Sequence, residues 1–277
     1  MTVRTGGEGY NDRDSGRLGL LRQGQVSITT DATNSQAKAT IVVPDFTSSH
    51  HHSSTATFQL GGNGFADDKT YVIGTDPSHS STLGTGHHTR PLNDATLLAS
   101  TNAAQVPLPA NPGCTCEFLS WGWWTSSVPD PRDRNKTIQV LGNYVVGQVP
   151  TVALPTMGSA TYTGFMAGVA QRGSNAPYVA SGSYQNVWNF QYGRGAFTGS
   201  FDGRGYSGTT RGTGGTTFAG TFNSTGGGYQ RSGGLSGGFF SAPGDVAGRP
   251  PAYQAGTFSI GNARSYYQAT GIFAGQR

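Results

Sequence analysis

Charged residues are scarce in this chain and are not clustered. Only 12% of its 277 residues are Asp, Glu, Lys or Arg, and the formal net charge is +4. The 18 basic residues are spread along the sequence, without the Lys/Arg runs that are typical of nucleic-acid-binding segments. We therefore expect a solvated, mildly basic surface and no nucleic-acid partner.

Long apolar runs are missing as well. No stretch reaches the roughly 20 apolar residues that a membrane-spanning helix needs, so we expect no transmembrane helix. The N-terminal sequence Met1–Gly7 lacks the apolar core of a signal peptide. This pattern indicates a fragment or mature form of a larger protein, or export by another route.

The motifs of common catalytic sites are also absent. The sequence contains no Gly-x-Ser-x-Gly elbow, no Walker loop and no His-Glu-x-x-His zinc motif. Glu117, Asp130 and Asp133 could supply a carboxylate pair for glycoside hydrolysis, but their spacing does not favour it. We therefore expect that the protein is not an enzyme and has no catalytic residue.

Glycine and aromatic residues dominate instead. The chain has 44 Gly, 14 Phe, 12 Tyr and 4 Trp, whereas strong helix formers are few. From Ala160 onward, short runs with period-2 alternation are separated by Gly, Asn, Asp or Pro, which is the signature of antiparallel hairpins. The predicted strands are Ala160–Val169, Tyr178–Tyr184, Val187–Tyr192, Gly195–Phe201, Thr217–Phe222, Gly234–Phe240, Ala255–Ile260 and Tyr266–Ala274, with a further short strand at Gly205–Thr210.

Several of these runs share a triplet in which a large apolar residue, a glycine and another large apolar residue occupy alternate positions. Examples are Phe197/Gly199/Phe201, Phe218/Gly220/Phe222 and Leu235/Gly237/Phe239. Alternate residues face the same side of a strand, so a ring from a neighbouring strand can fill the gap at the glycine. Small barrels fill their interior in this way, and closure removes exposed sheet edges. We therefore predict an all-β fold with an eight-stranded antiparallel barrel over residues 151–277.

Residues 1–150 are also β-like but less regular, and we assign them to a smaller, irregular β domain. No helix of normal length is predicted, and Asn93–Ala104 is the best candidate for one. The segment Gln148–Met157 contains two prolines and is the predicted linker. Predicted strands before it are Gln25–Thr29, Ala39–Val43, Ala56–Leu60, Tyr71–Ile73, Cys116–Trp124 and Ile138–Val146.

Histidines are the first candidates for a metal or haem site. The run His50–His52 is followed by His79 and by the pair His87–His88, and clustered imidazoles can bind transition metals. Adjacent histidines on an extended chain point in different directions, and no Asp, Glu or Cys lies at a familiar spacing. We expect a solvated polar loop and no cofactor, with a haem or metal role as the alternative.

Cys114 and Cys116 are the only cysteines. An even count suits a disulfide in an oxidising compartment, although a bridge across one residue closes a strained ring. Two free thiols are the alternative. A metal site would need further ligands, so it is disfavoured.

The string from Trp121 to Trp124 is the most distinctive local feature. In a strand, Trp121 and Trp123 share one face and Trp124 lies on the other. We expect Trp121 and Trp123 to cap the core of the first domain. Trp124 is a candidate binding residue, because an exposed Trp supplies large contact area at low entropy cost.

Four short motifs mark the C-terminal region: Ala160–Gly164, Tyr184 with Trp188–Phe190, Ser236–Phe240 and Ala255–Phe258. Through them the chain from about Thr161 to Gln276 resembles the C-terminal barrel of the transferrin-binding protein B-like lipoprotein superfamily. This superfamily includes factor H-binding proteins and haem-capturing surface proteins of Gram-negative bacteria. The string Cys116–Trp124 is similar to one found upstream of such barrels in large FecR-domain surface proteins of alphaproteobacteria.

The resemblance implies an eight-stranded barrel preceded by a smaller β-sheet handle. It also implies a noncatalytic binding role on the outer-membrane surface of a Gram-negative bacterium or outside the cell. No N-terminal lipobox cysteine is present, so lipid anchoring is not supported. Binding loops vary freely in this superfamily, so no ligand residue is carried over.

We therefore predict a noncatalytic surface or secreted binding module that displays loops to a protein or a small ligand, including haem or iron-related ligands. The predicted display loops are Ser241–Tyr253 and Arg204–Thr216. The alternative is a structural domain of a large adhesin, filament or extracellular matrix protein, with self-association. The candidate binding residues are Trp124, Tyr206, Arg249 and Tyr253.

Overall fold

The computed structural model describes residues 2–11, 17–21, 25–31, 36–44, 53–60, 72–75, 82–85, 88–91, 93–100, 113–116, 119–130, 133–173, 175, 178–262, 264 and 266–277. Side chains are described at residues 113–116, 119, 121, 143 and 145 and, from 147 on, throughout these ranges. The chain divides into two compact units. The first comprises Met1–Asn102 and Ser120–Tyr144, and the second comprises Ala103–Leu119 and Val145–Arg277.

The first eleven strands of the described residues form two sheets. These strands are β1 (Thr2–Asn11), β2 (Arg17–Leu21), β3 (Gln25–Asp31), β4 (Gln36–Pro44), β5 (Ser53–Leu60), β6 (Val72–Thr75), β7 (Thr82–Thr85), β8 (His88–Pro91), β9 (Asn93–Ser100), β10 (Leu119–Asp130) and β11 (Asp133–Gly147). In the described ranges, one sheet has the order β2-β1-β11-β10-β9-β6 and the other has the order β3-β4-β5-β7-β8.

Most strand predictions in this part coincide with observed strands, but two segments differ. The best helix candidate, Asn93–Ala104, contains strand β9, which pairs with β10 from Trp121↔Ser100 to Trp124↔Leu97. The strand predicted from Cys116 begins only at Leu119. The amide of Leu119 bonds the carbonyl of Cys116 at 3.0 Å, and Cys116 has a φ of 49°, so the chain turns before the strand begins.

The last eight strands form a closed antiparallel barrel, which confirms the predicted all-β, eight-stranded barrel; the handle stays a prediction. Its strands in order are β12 (Ser159–Arg172), β13 (Tyr178–Asn189), β14 (Arg194–Phe201), β15 (Arg204–Gly214), β16 (Thr217–Thr225), β17 (Ser232–Phe240), β18 (Tyr253–Asn262) and β19 (Tyr267–Gln276). Strand β12 pairs with β19, from Thr163↔Gln276 to Arg172↔Tyr267, and this pairing closes the barrel.

Two strand predictions in the barrel need correction. The strands predicted at Tyr178–Tyr184 and Val187–Tyr192 join in the single strand β13, which ends at Asn189, so residues 190–192 form a turn. The two strands join because Asn186 points into the barrel and finds hydrogen-bond partners there instead of starting a turn. The predicted display loop Arg204–Thr216 is largely strand β15. Its Gly, Ser and Thr content resembled a loop, but polar residues at alternate positions are its solvent-facing side.

The interior of the barrel is filled by aromatic rings. The five phenylalanines of the triplets are at most 1% exposed, so their predicted inward orientation is confirmed. Trp188 and Phe239 make an edge-to-face contact with centroids 5.2 Å apart, and Phe197 lies 5.1 Å from Phe222. Such pairs stabilise a core beyond their buried area. The five phenylalanines are Phe197, Phe201, Phe218, Phe222 and Phe239.

A buried polar network lies among these rings. The hydroxyl of Tyr184 and the amide nitrogen of Asn186 both donate to Gln254 Oε1, at 2.9 and 3.0 Å. Asn186 also donates to Thr210 Oγ1 at 3.1 Å. Because unpaired buried polar groups are costly, this network fixes β13, β15 and β18 in register.

Candidate functional site

The two ends of the barrel differ in chemistry, and each contains one of its carboxylates. At the Asp202 end, β12 ends at Arg172 and β19 begins at Tyr267. At the Asp245 end, a loop of residues 241–252 connects β17 to β18. The interior between them is occupied by side chains, so ligand contacts fall to the ends and the outer surface.

The carboxylate of Asp202 contacts side chains from several parts of the barrel. Asp202 lies in the turn between β14 and β15 with a φ of 50°. Its Oδ2 accepts hydrogen bonds from Arg172 Nη2 at 2.7 Å and from the Tyr178 hydroxyl at 2.9 Å. Arg231 Nη1 lies 3.6 Å from the same oxygen as an ion pair. One carboxylate therefore links β12, β13, the β14–β15 turn and the segment that leads into β17.

Burial and hydrogen bonding act in opposite directions on Asp202. Burial raises the pKa of its carboxyl, but the hydrogen bonds from Arg172 and Tyr178 and the positive charge of Arg172 outweigh it, so the pKa lies below its ordinary value. The hydrogen bond to Asp202 raises the pKa of the Arg172 guanidinium. The ion pair is therefore fully charged at neutral pH.

The guanidinium of Arg231 lies over the ring of a buried tyrosine. Its guanidinium carbon is 3.4 Å from the centroid of the Tyr267 ring, which is cation–π geometry, and its side chain is only 12% exposed. Arg231 Nη1, the Tyr206 hydroxyl and the Tyr267 hydroxyl are buried and have no hydrogen-bond partner among the described residues.

The two buried phenols interact electrostatically with their charged neighbours. Burial raises the pKa of both Tyr206 and Tyr267, and the nearby Arg231 charge lowers each only in part. The Tyr267 hydroxyl is close enough to Asp202 to lower the pKa of that carboxyl, without hydrogen-bond geometry. We call this set the Asp202 cluster; its members are Arg172, Tyr178, Asp202, Tyr206, Arg231 and Tyr267.

Exposed Tyr and Arg side chains surround the cluster and form what we call the Asp202 rim. Tyr229 and Tyr266 are 64% and 52% exposed, and Arg264 is exposed beside them in the β18–β19 loop. Buried donors at the centre and exposed aromatic and Arg side chains at the edge are typical of binding hot spots.

A glycine-rich loop forms one side of this end. Gly226 and Gly228 have φ values of 102° and 93°, which residues with a side chain rarely adopt. Arg204 donates to the carbonyls of Tyr229 and Gly227 at 2.7 and 3.2 Å. Arg204 therefore fixes the loop that presents Tyr229.

Positive charge is in excess in this part of the chain. From residue 147 to the C-terminus there are eight Arg, no Lys and two acidic side chains, Asp202 and Asp245. Asp245 pairs with Arg277 at 3.4 Å, away from the Asp202 end. The arginines at the Asp202 end are Arg172, Arg204, Arg231 and Arg264. Four cations face one carboxylate there, which favours a negatively charged ligand.

The loop at the Asp245 end is stabilised by hydrogen bonds to a carboxylate of the loop itself and from a buried tyrosine of the barrel. Asp245 Oδ2 accepts the amides of Ala242 and Ala252 at 3.1 and 2.9 Å. The buried Tyr162 hydroxyl donates to the carbonyl of Pro251 at 3.0 Å. Arg249 is exposed on this loop. The loop is thus a closed, anchored structure that presents one cation.

The structure does not bring the four predicted binding residues together. Tyr206 belongs to the Asp202 cluster, whereas Arg249 and Tyr253 lie at the Asp245 end. Trp124 of β10 lies opposite Leu97 of β9, and the side chain of Trp124 is not among those that the structure describes. Tyr206 and Tyr253 are 2% and 3% exposed, so Arg249 is the one exposed side chain of the four in the described part.

The candidate metal ligands fall largely outside the described residues. His50–His52, His79 and His87 lie outside them, and only the backbone of His88 is described. Among the side chains that the structure describes, no group of three or more His, Cys, Asp or Glu could hold a metal ion. The metal or haem alternative therefore stays untested. Within the described ranges there is no helix long and apolar enough to cross a membrane.

The two cysteines form a disulfide. The Cα atoms of Cys114 and Cys116 are 5.2 Å apart, and both side chains are buried. Thr115, exposed between them, donates to Gln276 Oε1 at 3.4 Å. Of the alternatives that the sequence left open, the structure contains the disulfide.

No protein-family model matches the chain, and no curated protein matches it. Intact Ap-TbpB, with N and C lobes, is similar with a TM-score of 0.41 and 10% identity, over 99% of this chain and 76% of that one. A point mutant of the vaccine antigen transferrin-binding protein B from Haemophilus parasuis Hp5 has a TM-score of 0.41 and 10% identity, over 100% and 76%.

A double mutant of the same antigen has a TM-score of 0.40 and 12% identity, over 92% of this chain and 53% of that one. The predicted resemblance to transferrin-binding protein B is thus confirmed as structural similarity at low sequence identity.

Sequence reasoning missed most of the Asp202 cluster. Of its members only Tyr206 was a predicted binding residue, because the strand ends that surround Asp202 are far apart in sequence. One signal was available: the excess of Arg over acidic residues after residue 147 can be counted directly.

Proposed function

We propose that this chain is a noncatalytic binding module of a bacterial surface or of the extracellular space, and that it holds its ligand at the Asp202 end of the barrel. The observation that carries the proposal is the concentration of exposed Tyr and Arg around a buried, positively charged cluster. Tyr229 and Tyr266 are among the most exposed large side chains that the structure describes.

The chemistry of this end suits a protein ligand. Tyr and Arg are enriched at the centres of protein interfaces, because they supply large contact area and directed hydrogen bonds. The rim side chains stand on short loops of a closed barrel, so little ordering is needed when a partner binds. A protein with acidic groups is the partner that this surface favours.

The remaining parts of the chain have supporting roles in this proposal. Residues 1–150 serve as the handle that positions the barrel at the outer surface of a Gram-negative cell. The disulfide between Cys114 and Cys116 is consistent with maturation in an oxidising compartment.

The test is a capture experiment with matched variants. The immobilised full chain is exposed to host and environmental protein mixtures, and each captured protein is identified and its affinity measured with purified components. Tyr229→Ala with Arg264→Gln removes one tyrosine and one positive charge at the Asp202 rim. Tyr192→Ala with Arg249→Gln makes the same changes at the Asp245 end and is the control, since Tyr192 is 68% exposed.

We expect the rim variant to weaken binding at least about tenfold and the control to bind like the wild type. The reverse pattern would place the ligand at the Asp245 end and contradict the proposal. Self-association of the purified chain without capture of any partner would favour the structural alternative.

A further inference from the structure

Several buried polar groups of the Asp202 cluster have no hydrogen-bond partner among the described residues. Oδ2 of Asp202 already accepts from Arg172 and Tyr178 at 2.7 and 2.9 Å. Its contact with Arg231 Nη1, at 3.6 Å, is too long for a hydrogen bond. The carboxylate oxygen that faces the cluster is therefore already saturated.

Three donors in the cluster have no acceptor within the described residues. They are Arg231 Nη1 and the hydroxyls of Tyr206 and Tyr267. Tyr206 and Tyr267 are only 2% and 1% exposed, so bulk water does not satisfy them. A guanidinium can only donate, and leaving buried donors unpaired is unfavourable. An acceptor from outside the chain would complete the site.

The charge of the surroundings determines what kind of acceptor fits. Arg172, Arg204 and Arg231 surround the site and Asp202 is its one carboxylate, which leaves a net charge of about +2. The guanidinium carbon of Arg231 lies 3.4 Å from the centroid of the Tyr267 ring, so this contact fixes the position of the guanidinium. A fixed guanidinium beside hydroxyl donors is suited to an oxyanion.

We propose that the Asp202 cluster is an oxyanion-binding site, in which Arg231 Nη1 and the hydroxyls of Tyr206 and Tyr267 donate to a carboxylate, phosphate or sulfate group. This assignment rests on the proposed function, because it names the chemical group of the ligand that the Asp202 end recognises. The oxyanion is either a free ion or a group carried by a partner protein. In both cases the contacts are the same three donors.

The test measures anion binding by the full chain. Calorimetric titration and thermal melting are carried out with sodium acetate, phosphate and sulfate, with sodium chloride at equal ionic strength as the reference. We expect saturable binding of at least one oxyanion and a rise in melting temperature that chloride does not produce. No oxyanion effect beyond that of chloride would overturn the proposal.

Conservative variants identify the donors. Tyr206→Phe with Tyr267→Phe keeps both rings and removes both hydroxyls, so it should fold and bind the oxyanion about tenfold more weakly. Arg231→Gln should abolish saturable binding. Arg211→Gln removes an equal charge on an exposed strand position near the other end and should bind like the wild type. Unchanged affinity in the double Phe variant would show that the two hydroxyls do not contact the oxyanion and would overturn the proposal.

Capped peptides separate the two sources of the oxyanion. A peptide with a central Glu should bind more tightly than inorganic phosphate if the group comes from a partner, and its Gln counterpart should not bind. Tighter binding of the free ion would assign the site to a small solute. Anion binding that persists when no partner is captured would refute the proposed function alone, and partner capture without anion binding would refute this site alone.

Discussion

The ring of Phe273 in β19 occupies the space that a side chain on Gly237 in β17 would need. A Cβ added to Gly237 would lie 2.6 Å from Cζ of Phe273 and 2.5 Å from the carbonyl oxygen of Ala255. Both contacts are too short for carbon and oxygen atoms to tolerate. The glycine of the Leu235/Gly237/Phe239 triplet is thus the gap that a ring from another strand fills.

Substitution of that glycine should destabilise the barrel. Gly237→Ala forces the ring and the neighbouring backbone apart, so we expect the free energy of unfolding to fall by about 1–3 kcal/mol. Urea denaturation measures it. Gly234→Ala is the control in the same strand, because its nearest neighbour would be at an ordinary 3.5 Å. Equal stability of the two variants would contradict the packing argument.

Removal of the Asp202 charge should loosen one end of the barrel. Asp202→Asn weakens the hydrogen bonds from Arg172 and Tyr178 and leaves Arg231 without its counter-charge, so we expect a loss of about 1–3 kcal/mol in the free energy of unfolding at pH 7. Arg172→Gln, at a side chain that is 53% exposed, should cost less, within about 1 kcal/mol. A loss from Arg172→Gln as large as that from Asp202→Asn would contradict the central role of the carboxylate.

The Asp202 contribution should also depend on pH. The pKa of Asp202 is lowered in the folded state, so its stabilisation is present above the unfolded pKa of about 3.9 and is lost as pH falls through the folded value. The gap between the wild type and Asp202→Asn should therefore close in acid, as urea denaturation at stepwise lower pH would measure. An unchanged gap would refute the assignment. The groups that face this carboxylate are Arg172, Tyr178, Tyr206, Arg231 and Tyr267.

Substitutions in the buried network inside the barrel should lower the free energy of unfolding. The loss should grow with the number of buried groups that each substitution leaves without a hydrogen-bond partner. Gln254→Leu leaves the Tyr184 hydroxyl and the Asn186 amide without their acceptor, so we expect a loss of about 2 kcal/mol or more. Tyr184→Phe removes a single donor and should cost about 1 kcal/mol. Thr198→Val, at an exposed hydrogen bond to Gln185, is the control and should change little. A ranking other than this in urea denaturation would show that the network does not stabilise the core.

The loop at the Asp245 end should open when its internal anchor is removed. Asp245→Ala leaves the amides of Ala242 and Ala252 without their acceptor, so we expect their hydrogen exchange to accelerate about tenfold or more. Peptides from the β14–β15 turn, at the opposite end, should exchange as in the wild type. Uniform acceleration throughout the barrel would indicate global destabilisation and not release of one loop.

The barrel could be predicted because the pattern that specifies each strand lies within a short stretch of sequence. Alternation within one strand determines which residues share a face, so Phe218 and Phe222 could be assigned to the interior from spacing alone. The short strand predicted at Gly205–Thr210 lies within β15, but the full length of β15 was harder to predict, because Ser207 and Thr209 carry no apolar signal on their solvent side. Asn186 was also misleading, since its turn propensity is overcome by buried hydrogen bonds that only the closed barrel provides.

The Asp202 cluster was not predictable from local patterns. Arg172, Tyr178 and Tyr267 reach Asp202 only because the register of several strand pairs brings their ends together. A change of one residue in any register would move a side chain to the other face. The sequence shows that this region has an excess of positive charge. It does not show where in the fold the charged side chains come together.

The pairing of β12 with β19 has a consequence for how the protein is made. Thr163 finds its partner in Gln276, so a nascent chain that leaves the ribosome exposes one unpaired side of β12 until the last strand has been synthesised. Contacts between residues so far apart in sequence form slowly. We therefore expect barrel closure to be a late step in biogenesis, and the partly translated chain to need protection from association with its neighbours.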